Sequence, residues 1–146
     1  MSKKAIAELN FKSELNCCQS VVGAYAEECG LDRNTALKIG ACFGGGMKKG
    51  EVCGAISGAL MVLGLKKGYF LEQDSHGRDR AALYTKMFID RYENCFGAVT
   101  CKAMLGHDVS IPSERAHAEM EGRFQSVCPK AIEKAVELLE EILHEE

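Results

Sequence analysis

A glycine-rich, uncharged stretch near the middle of the chain limits what the rest can fold into. The segment 40–68 holds three consecutive glycines, a lysine pair and then fourteen residues without charge, from Val52 to Leu65. A bilayer-spanning helix needs about 20 apolar residues. We therefore predict a buried central helix in a globular protein. The four-residue spacing of Gly54 and Gly58 predicts that another backbone, or a bound group, lies against one face of that helix.

The remaining apolar residues recur at helical spacing, and the chain has only two prolines. We predict an all-α, compact single-domain bundle over residues 1–146, with the glycine-rich helix at its centre. A first helix is expected from about Ala5 or Phe11 to Cys29, and Pro129 is expected at the first position of the last helix. Further predicted helix boundaries are marked by capping residues and glycines: Asp32, Gly30, Gly97, Thr100 and Gly106.

Composition narrows the function classes. The chain of 146 residues has a formal net charge of −3, which gives no basic footprint for nucleic acid. Its N-terminal segment lacks the apolar run of a signal peptide, so we expect a cytoplasmic protein without membrane insertion. Eight cysteines are many for this length. Because the core is large enough without disulfides and the expected compartment is reducing, these cysteines have either a chemical role or a packing role.

The positions of the cysteines separate them into two groups. A helix start presents unpaired N–H groups and positive partial charge, which favour a thiolate over a thiol. Four cysteines are predicted to lie at or next to such starts: Cys17, Cys53, Cys101 and Cys128. The others are predicted near helix C-termini, within an apolar run, or beside Cys17 but turned about 100° away: Cys29, Cys95, Cys42 and Cys18.

Five sequence motifs carry a resemblance to a known family. The motifs NCCQS, FGGGM, GEVCGAISGALMVLGL, TC and VCPK occur in this order. Together they resemble the redox-active family named for its C-GCAxxG-C-C pattern, over residues of about 16–143. The resemblance implies that Cys17, Cys53, Cys101 and Cys128 form one redox site. A related domain occurs in split-Soret-type cytochromes, where an iron–sulfur centre has been proposed. Cys18 departs from the pattern and leaves the identity of the first ligand open.

The chemistry of the four thiols has four open interpretations. They are far apart in sequence and include no C-x-x-C pair, so only tertiary folding can bring them together. Tetrahedral thiolate sites suit zinc or an iron–sulfur cluster. We favour an iron–sulfur or other metal site for electron transfer with an unspecified donor or acceptor. The alternatives are metal-free disulfide cycling, a zinc-stabilised structural or partner-binding module, or cysteines that only pack in the core. Enzymatic activity and homo-oligomerisation stay open.

The glycines and histidines each have a simple structural interpretation and a functional alternative. The triple glycine matches neither nucleotide-binding fingerprint and predicts a tight turn with positive φ. As an alternative, its amides and the glycine after Cys53 could contact a bound cluster: Gly44, Gly45, Gly46 and Gly54. Two Glu-x-x-His pairs, at 114–117 and 141–144, have the spacing of di-iron bundles, but a solvated helix face is the simpler interpretation. No C-x-x-C-H motif is present, so no covalent haem is expected.

Overall fold

The computed structural model describes residues 1–145. The described residues form helices and contain no strand, which confirms the predicted all-α class. The α-helices, in chain order, are α1 Lys3–Lys12, α2 Cys17–Tyr25, α3 Arg33–Gly40, α4 Gly54–Lys67, α5 Ser75–Phe96, α6 Cys101–Leu105, α7 Pro112–Met120 and α8 Arg123–His144.

Helix α4 is the central element and packs against α2, α5 and α8. Its side chains Ile56, Ala59 and Val62 are fully buried. A Cβ atom on Gly58 would lie 2.8 Å from the Cys18 carbonyl oxygen, and one on Gly54 would lie 3.0 Å from the Cys18 nitrogen. Both glycines therefore permit the backbone of α2 to lie directly on α4, which confirms the close approach predicted from their spacing.

The N-terminal region differs from the prediction. Instead of one helix reaching Cys29, the chain forms α1 and α2 with a break between them. Glu14 has a φ of 71° within the break, so the first helix cannot continue. Asn16 then starts α2 with a capping box, in which its side chain accepts from the Gln19 N–H and the Gln19 side chain accepts from the Asn16 N–H. The uninterrupted helix was a wrong prediction because this local cap outweighs the apolar periodicity.

The last helix also starts elsewhere than predicted. Helix α8 begins at Arg123, after Gly122 with a φ of 68°, and passes through Pro129. The prediction that Pro129 opens the helix was therefore wrong. Proline removes one backbone donor, and helix α8 tolerates that loss in its second turn because its apolar face continues on both sides of the proline. Cys128 consequently lies inside the helix rather than just before its start.

Other boundaries agree with the sequence. The Asp32 carboxylate accepts from the Thr35 N–H at 3.0 Å and caps α3. Thr100 caps α6 by accepting from the Ala103 N–H at 3.2 Å. Glycines with left-handed φ end α5 and α6: Gly97 and Gly106.

Two apolar clusters organise the packing. The larger contains α1, α2, α4, α5 and α8, with Tyr25, Phe88 and Tyr92 fully buried at its centre. The Tyr92 hydroxyl donates to the Ala131 carbonyl oxygen at 2.9 Å. The smaller cluster is formed by α6, the loop after it and the start of α8. Within the part of the chain that is described, no helix combines the length and apolarity needed to cross a membrane.

Candidate thiol site

Four cysteines line a single cavity of about 180 Å³ between the two apolar clusters: Cys17, Cys53, Cys101 and Cys128. They come from α2, the start of α4, α6 and α8, so four separate segments supply one thiol each. The structure thus brings together the same four residues that the helix-start argument and the family resemblance single out.

A short antiparallel bridge places Cys53 beside Cys101. Val52 and Thr100 form this bridge. The Cys53 N–H donates to the Val99 carbonyl oxygen at 2.8 Å, and the Cys101 N–H donates to the Glu51 carbonyl oxygen at 2.6 Å. Because each cysteine lies at the start of its helix, the bridge holds the starts of α4 and α6 side by side.

Asn16 positions Cys17, which is the first residue of α2. The Asn16 side-chain amide donates to the carbonyl oxygens of Gly40 and Ala41, at 3.1 and 3.2 Å, and so fixes the start of α2 against the end of α3. A Cβ on Gly44 would lie 2.8 Å from the Asn16 Cβ. The first glycine of the triplet is therefore required for close contact with this cap, rather than for an unusual φ.

Arg123 attaches the start of α8 to the end of α6. Its guanidinium donates to the carbonyl oxygens of Leu105 and Met104, both at 3.0 Å. These carbonyls have no partner within their own short helix, so the guanidinium satisfies them. The attachment keeps Cys128, on the second turn of α8, on the same cavity as Cys101.

The pKa of the Cys53 thiol is shifted downward by its neighbours. A hydrogen bond from the Cys17 side chain lowers the pKa of Cys53, burial opposes this, and the backbone N–H groups of Ala55 and Ile56 lower it further. Hydrogen bonding to Cys128 and to Cys53, followed by burial, raises the pKa of Cys17 well above 9.0. The two shifts run in opposite directions and make Cys17 the donor and Cys53 the acceptor of their shared hydrogen bond.

Cys101 does not gain from its helix start. Burial and then the neighbouring sulfur charges raise the pKa of Cys101 to about 12, while Arg115 and Lys48 oppose the rise. Our prediction that the helix start alone favours the thiolate is therefore wrong for Cys17 and Cys101. At both positions burial and adjacent thiols outweigh the partial charge of the helix terminus.

The other four cysteines lie away from this cavity. Cys18 is fully buried, its Sγ lies 3.8 Å from the Met61 Sδ, and burial raises its pKa to about 12. The structure therefore places Cys17, and not Cys18, at the cavity. Cys42 and Cys95 are exposed, and Cys29 is partly buried.

The turn that begins within the triple glycine is left-handed over four consecutive residues: Gly45, Gly46, Met47 and Lys48, with φ of 63°, 59°, 59° and 62°. The predicted positive φ is confirmed at two glycines of the triplet, and the left-handed conformation of two residues with side chains was not predicted. Left-handed backbone costs about 1–2 kcal/mol for a residue with a Cβ. The turn places its backbone on the cavity, which is lined by Gly44, Gly45, Gly46 and Gly54.

Sequence reasoning missed part of the cavity wall. The sequence marks Lys48 only as one of a lysine pair, and no motif includes Arg115 or Phe124, yet all three line the cavity. The Arg115 guanidinium lies 5.3 Å from the centre of the Phe124 ring. Nothing local in the sequence distinguishes Arg115, since its helix is polar on most sides. No Asp or Glu is among the described residues that line the cavity.

Two of the four histidines have an acidic neighbour at the surface. His107 lies 2.8 Å from Glu121, and His144 lies 3.0 Å from Glu140. Glu114 instead accepts from the Asp108 N–H at 2.9 Å. Among the described residues, no group of three or more His, Cys, Asp or Glu side chains has the arrangement of a metal site.

The fold and the cavity together define an all-α protein with a four-cysteine site. A family model described as "Putative redox-active protein (C_GCAxxG_C_C)" matches residues 15–142, which is most of the chain. The chain belongs to this family. Comparisons with curated proteins and with solved structures gave no match.

Proposed function

We propose that this protein is an electron-transfer protein that binds an iron–sulfur cluster through four thiols: Cys17, Cys53, Cys101 and Cys128. The observation that carries the proposal is that these dispersed cysteines line one cavity. Membership of a family described as redox-active supports the same chemistry. Such a cluster, when bound, supplies one-electron transfer between a one-electron donor and a one-electron acceptor.

The donor set and the cavity wall fit such a group. Four thiolates are the usual ligands of an iron–sulfur cluster and also suit zinc. The cations Lys48 and Arg115 line the cavity without an acidic neighbour in its wall and would offset the negative charge of a thiolate-held group. The sulfurs do not already form a metal-site arrangement among the described residues, so binding requires them to turn toward a common point.

The chain contributes three properties to this proposed site. The N–H groups of Ala55 and Ile56 stabilise the Cys53 thiolate, which makes it the first ligand available to a metal. The side chains of Met104 and Phe124 line the cavity and give it an apolar wall beside the sulfurs. Gly54 has no side chain, so α2 lies directly against the start of α4 and Cys17 is held beside Cys53; a Cβ on Gly54 would lie 3.3 Å from the Cys17 Cβ.

The expected setting of this chemistry is the cytoplasm, where thiols are kept reduced. The family description supports redox partners, and we propose an electron donor and acceptor rather than a nucleic-acid or membrane partner. Zinc would convert the same thiols into a redox-silent structural site.

Metal and sulfide analysis of anaerobically purified protein tests the proposal. We expect iron and acid-labile sulfide in equal amounts, with visible absorbance that bleaches on reduction. Cys53→Ser and Cys101→Ser should abolish both, whereas the matched variants of exposed cysteines, Cys42→Ser and Cys95→Ser, should retain them. Stoichiometric zinc without sulfide would refute the cluster and favour the structural module.

Metal-free thiol–disulfide exchange is the second candidate, favoured by the hydrogen bond between Cys17 and Cys53. A Cys53 thiolate would attack a disulfide R–S–S–R′, forming a mixed disulfide and releasing R′–S⁻. Cys17 would then give its proton to the released R′–S⁻, attack the Cys53 sulfur and release R–S⁻. Each turnover reduces one substrate disulfide by two electrons and leaves a Cys17–Cys53 disulfide.

Peptide mapping after treatment of the metal-free protein with oxidised glutathione distinguishes this candidate. It predicts a Cys17–Cys53 disulfide and release of two equivalents of reduced glutathione per chain. Stable glutathionylation of Cys53 without that disulfide would exclude the exchange mechanism, whatever the metal analysis shows.

A further inference from the structure

The thiol cavity has a charge that differs from that of the whole chain. The protein carries a formal net charge of −3, yet the charged side chains that line the cavity are Lys48 and Arg115. The described part of the wall includes no carboxylate. A cleft lined by one sign of charge with apolar walls concentrates ligands of the opposite sign.

Each cation reaches the cavity from a different element. Lys48 lies on the left-handed turn, where its φ of 62° is unfavourable for a residue with a side chain. Such strain at a cavity wall is consistent with a residue held there for function. Arg115 comes from α7, with its guanidinium against the Phe124 ring. Its carboxylate neighbour, Glu119, is 3.4 Å away and more than half exposed. Solvent therefore screens this ion pair.

We propose that the cavity selects small anionic molecules over neutral ones, with Lys48 and Arg115 as the residues that recognise the negative charge. This inference rests on the proposed function only in taking the thiol cavity as the functional site. The inference concerns the metal-free cavity, in which Cys53 is not a ligand: the occupant is a small molecule bearing a carboxylate or similar anionic group, whose reactive centre approaches Cys53 and whose charge is recognised by the two cations in the wall. The cations also remain close enough to act on Cys101.

Alkylation with a charged and a neutral reagent measures this selectivity. In metal-free, reduced protein, the thiolate of Cys53 displaces iodide from iodoacetate or from iodoacetamide, forming a carbon–sulfur bond in each case. Both reagents react with the same thiolate, so the ratio of their rates is independent of the thiolate fraction. We expect the ratio of the iodoacetate rate to the iodoacetamide rate to be about tenfold higher at Cys53 than at exposed Cys42 at low salt. This ratio at Cys53 should fall as the salt concentration increases.

Matched lysine variants separate a local effect from a general one. Lys48→Met should lower the rate ratio at Cys53 several-fold. The double variant with Lys48→Met and Arg115→Gln should lower this ratio further. Lys49→Met makes the same change in net charge, but Lys49 does not line the cavity and its charge acts on Asp108 instead. This control should leave the ratio unchanged. Methionine is already present at the adjacent left-handed position, so Lys48→Met keeps a type of side chain that this turn accommodates.

Site-resolved mass spectrometry gives both rates in one experiment. Equal ratios at Cys53 and Cys42 would overturn the inference, and so would equal effects of Lys48→Met and Lys49→Met. The proposed function fails on a different measurement, the absence of iron and sulfide, which does not alter these ratios. If Arg115→Gln unfolds the protein by circular dichroism, the comparison between the two lysine variants alone decides the outcome.

Discussion

Two glycines on the same helix should respond in opposite directions to alanine. Gly58 and Gly64 both lie in α4, but only Gly58 faces a neighbour. A Cβ on Gly58 would lie 2.8 Å from the Cys18 carbonyl oxygen and 3.2 Å from the Val21 Cβ. A Cβ on Gly64 would have no atom within 4 Å other than the neighbouring residues and backbone of its own helix.

The magnitudes follow from these contacts. Alanine in a helix interior is more stable than glycine by about 1 kcal/mol, and this contribution applies at both positions. Overpacking costs about 1–3 kcal/mol, and the upper half of that range applies at Gly58 because the nearest atom belongs to a backbone. Gly58→Ala should therefore destabilise the protein by about 1–2 kcal/mol, and Gly64→Ala should stabilise it by about 0.5–1 kcal/mol.

Urea denaturation of the reduced protein with a chelator present measures both variants without a contribution from bound metal. In thermal unfolding, each 1 kcal/mol corresponds to about 2–4 °C in Tm for a chain near this size. The reasoning would be refuted if Gly58→Ala matched or exceeded the stability of Gly64→Ala. That result would mean that α2 and α4 are not in backbone contact, and the position of Cys17 would then lose its structural basis.

Three further perturbations test individual parts of the site. Asn16→Ala should lower the free energy of unfolding by about 2 kcal/mol in urea denaturation, because it removes a helix cap and two hydrogen bonds to the end of α3. Asn34→Ala, on the exposed face of α3, should lower it much less. Cys17→Ala should shift the pH profile of Cys53 alkylation to higher pH, because the hydrogen bond from Cys17 is the main cause that lowers the Cys53 pKa. An unchanged profile would contradict the assigned hydrogen bond. Met47→Gly should raise stability by about 0.5 kcal/mol, because relief of the left-handed φ of an exposed residue exceeds the entropic cost of glycine, and a loss of stability would show that the turn is not strained.

Local signals in the sequence predicted much of the fold. The cap at Thr100, the glycine stop at Gly106 and the close approach at Gly54 and Gly58 each depend on a few neighbouring residues, and each is found in the structure. The start of α8 was missed because a proline is a probable helix start, yet the apolar face of this helix extends on both sides of Pro129.

The four cysteines of the candidate site could be predicted from the sequence, but the two cations in its wall could not. The cysteines could be chosen from their positions and from family motifs, whereas Lys48 and Arg115 reach the cavity only through tertiary packing. The bridge between Val52 and Thr100 joins residues far apart in sequence and has no local signal. The pKa of Cys101 was misjudged for the same reason, since its burial depends on distant residues.

Convergence of the four thiols on one point is the central claim, and cadmium binding tests it without depending on an oxygen-sensitive cluster. Reduced, metal-free protein titrated with Cd²⁺ under anaerobic conditions should bind one ion per chain, with ultraviolet absorption from thiolate-to-metal charge transfer. Each serine variant at Cys17, Cys53, Cys101 or Cys128 should remove about a quarter of that absorption, and Cys42→Ser should remove none. Absorption that is unaffected by Cys101→Ser, or is reduced by Cys42→Ser, would contradict a shared four-thiol site.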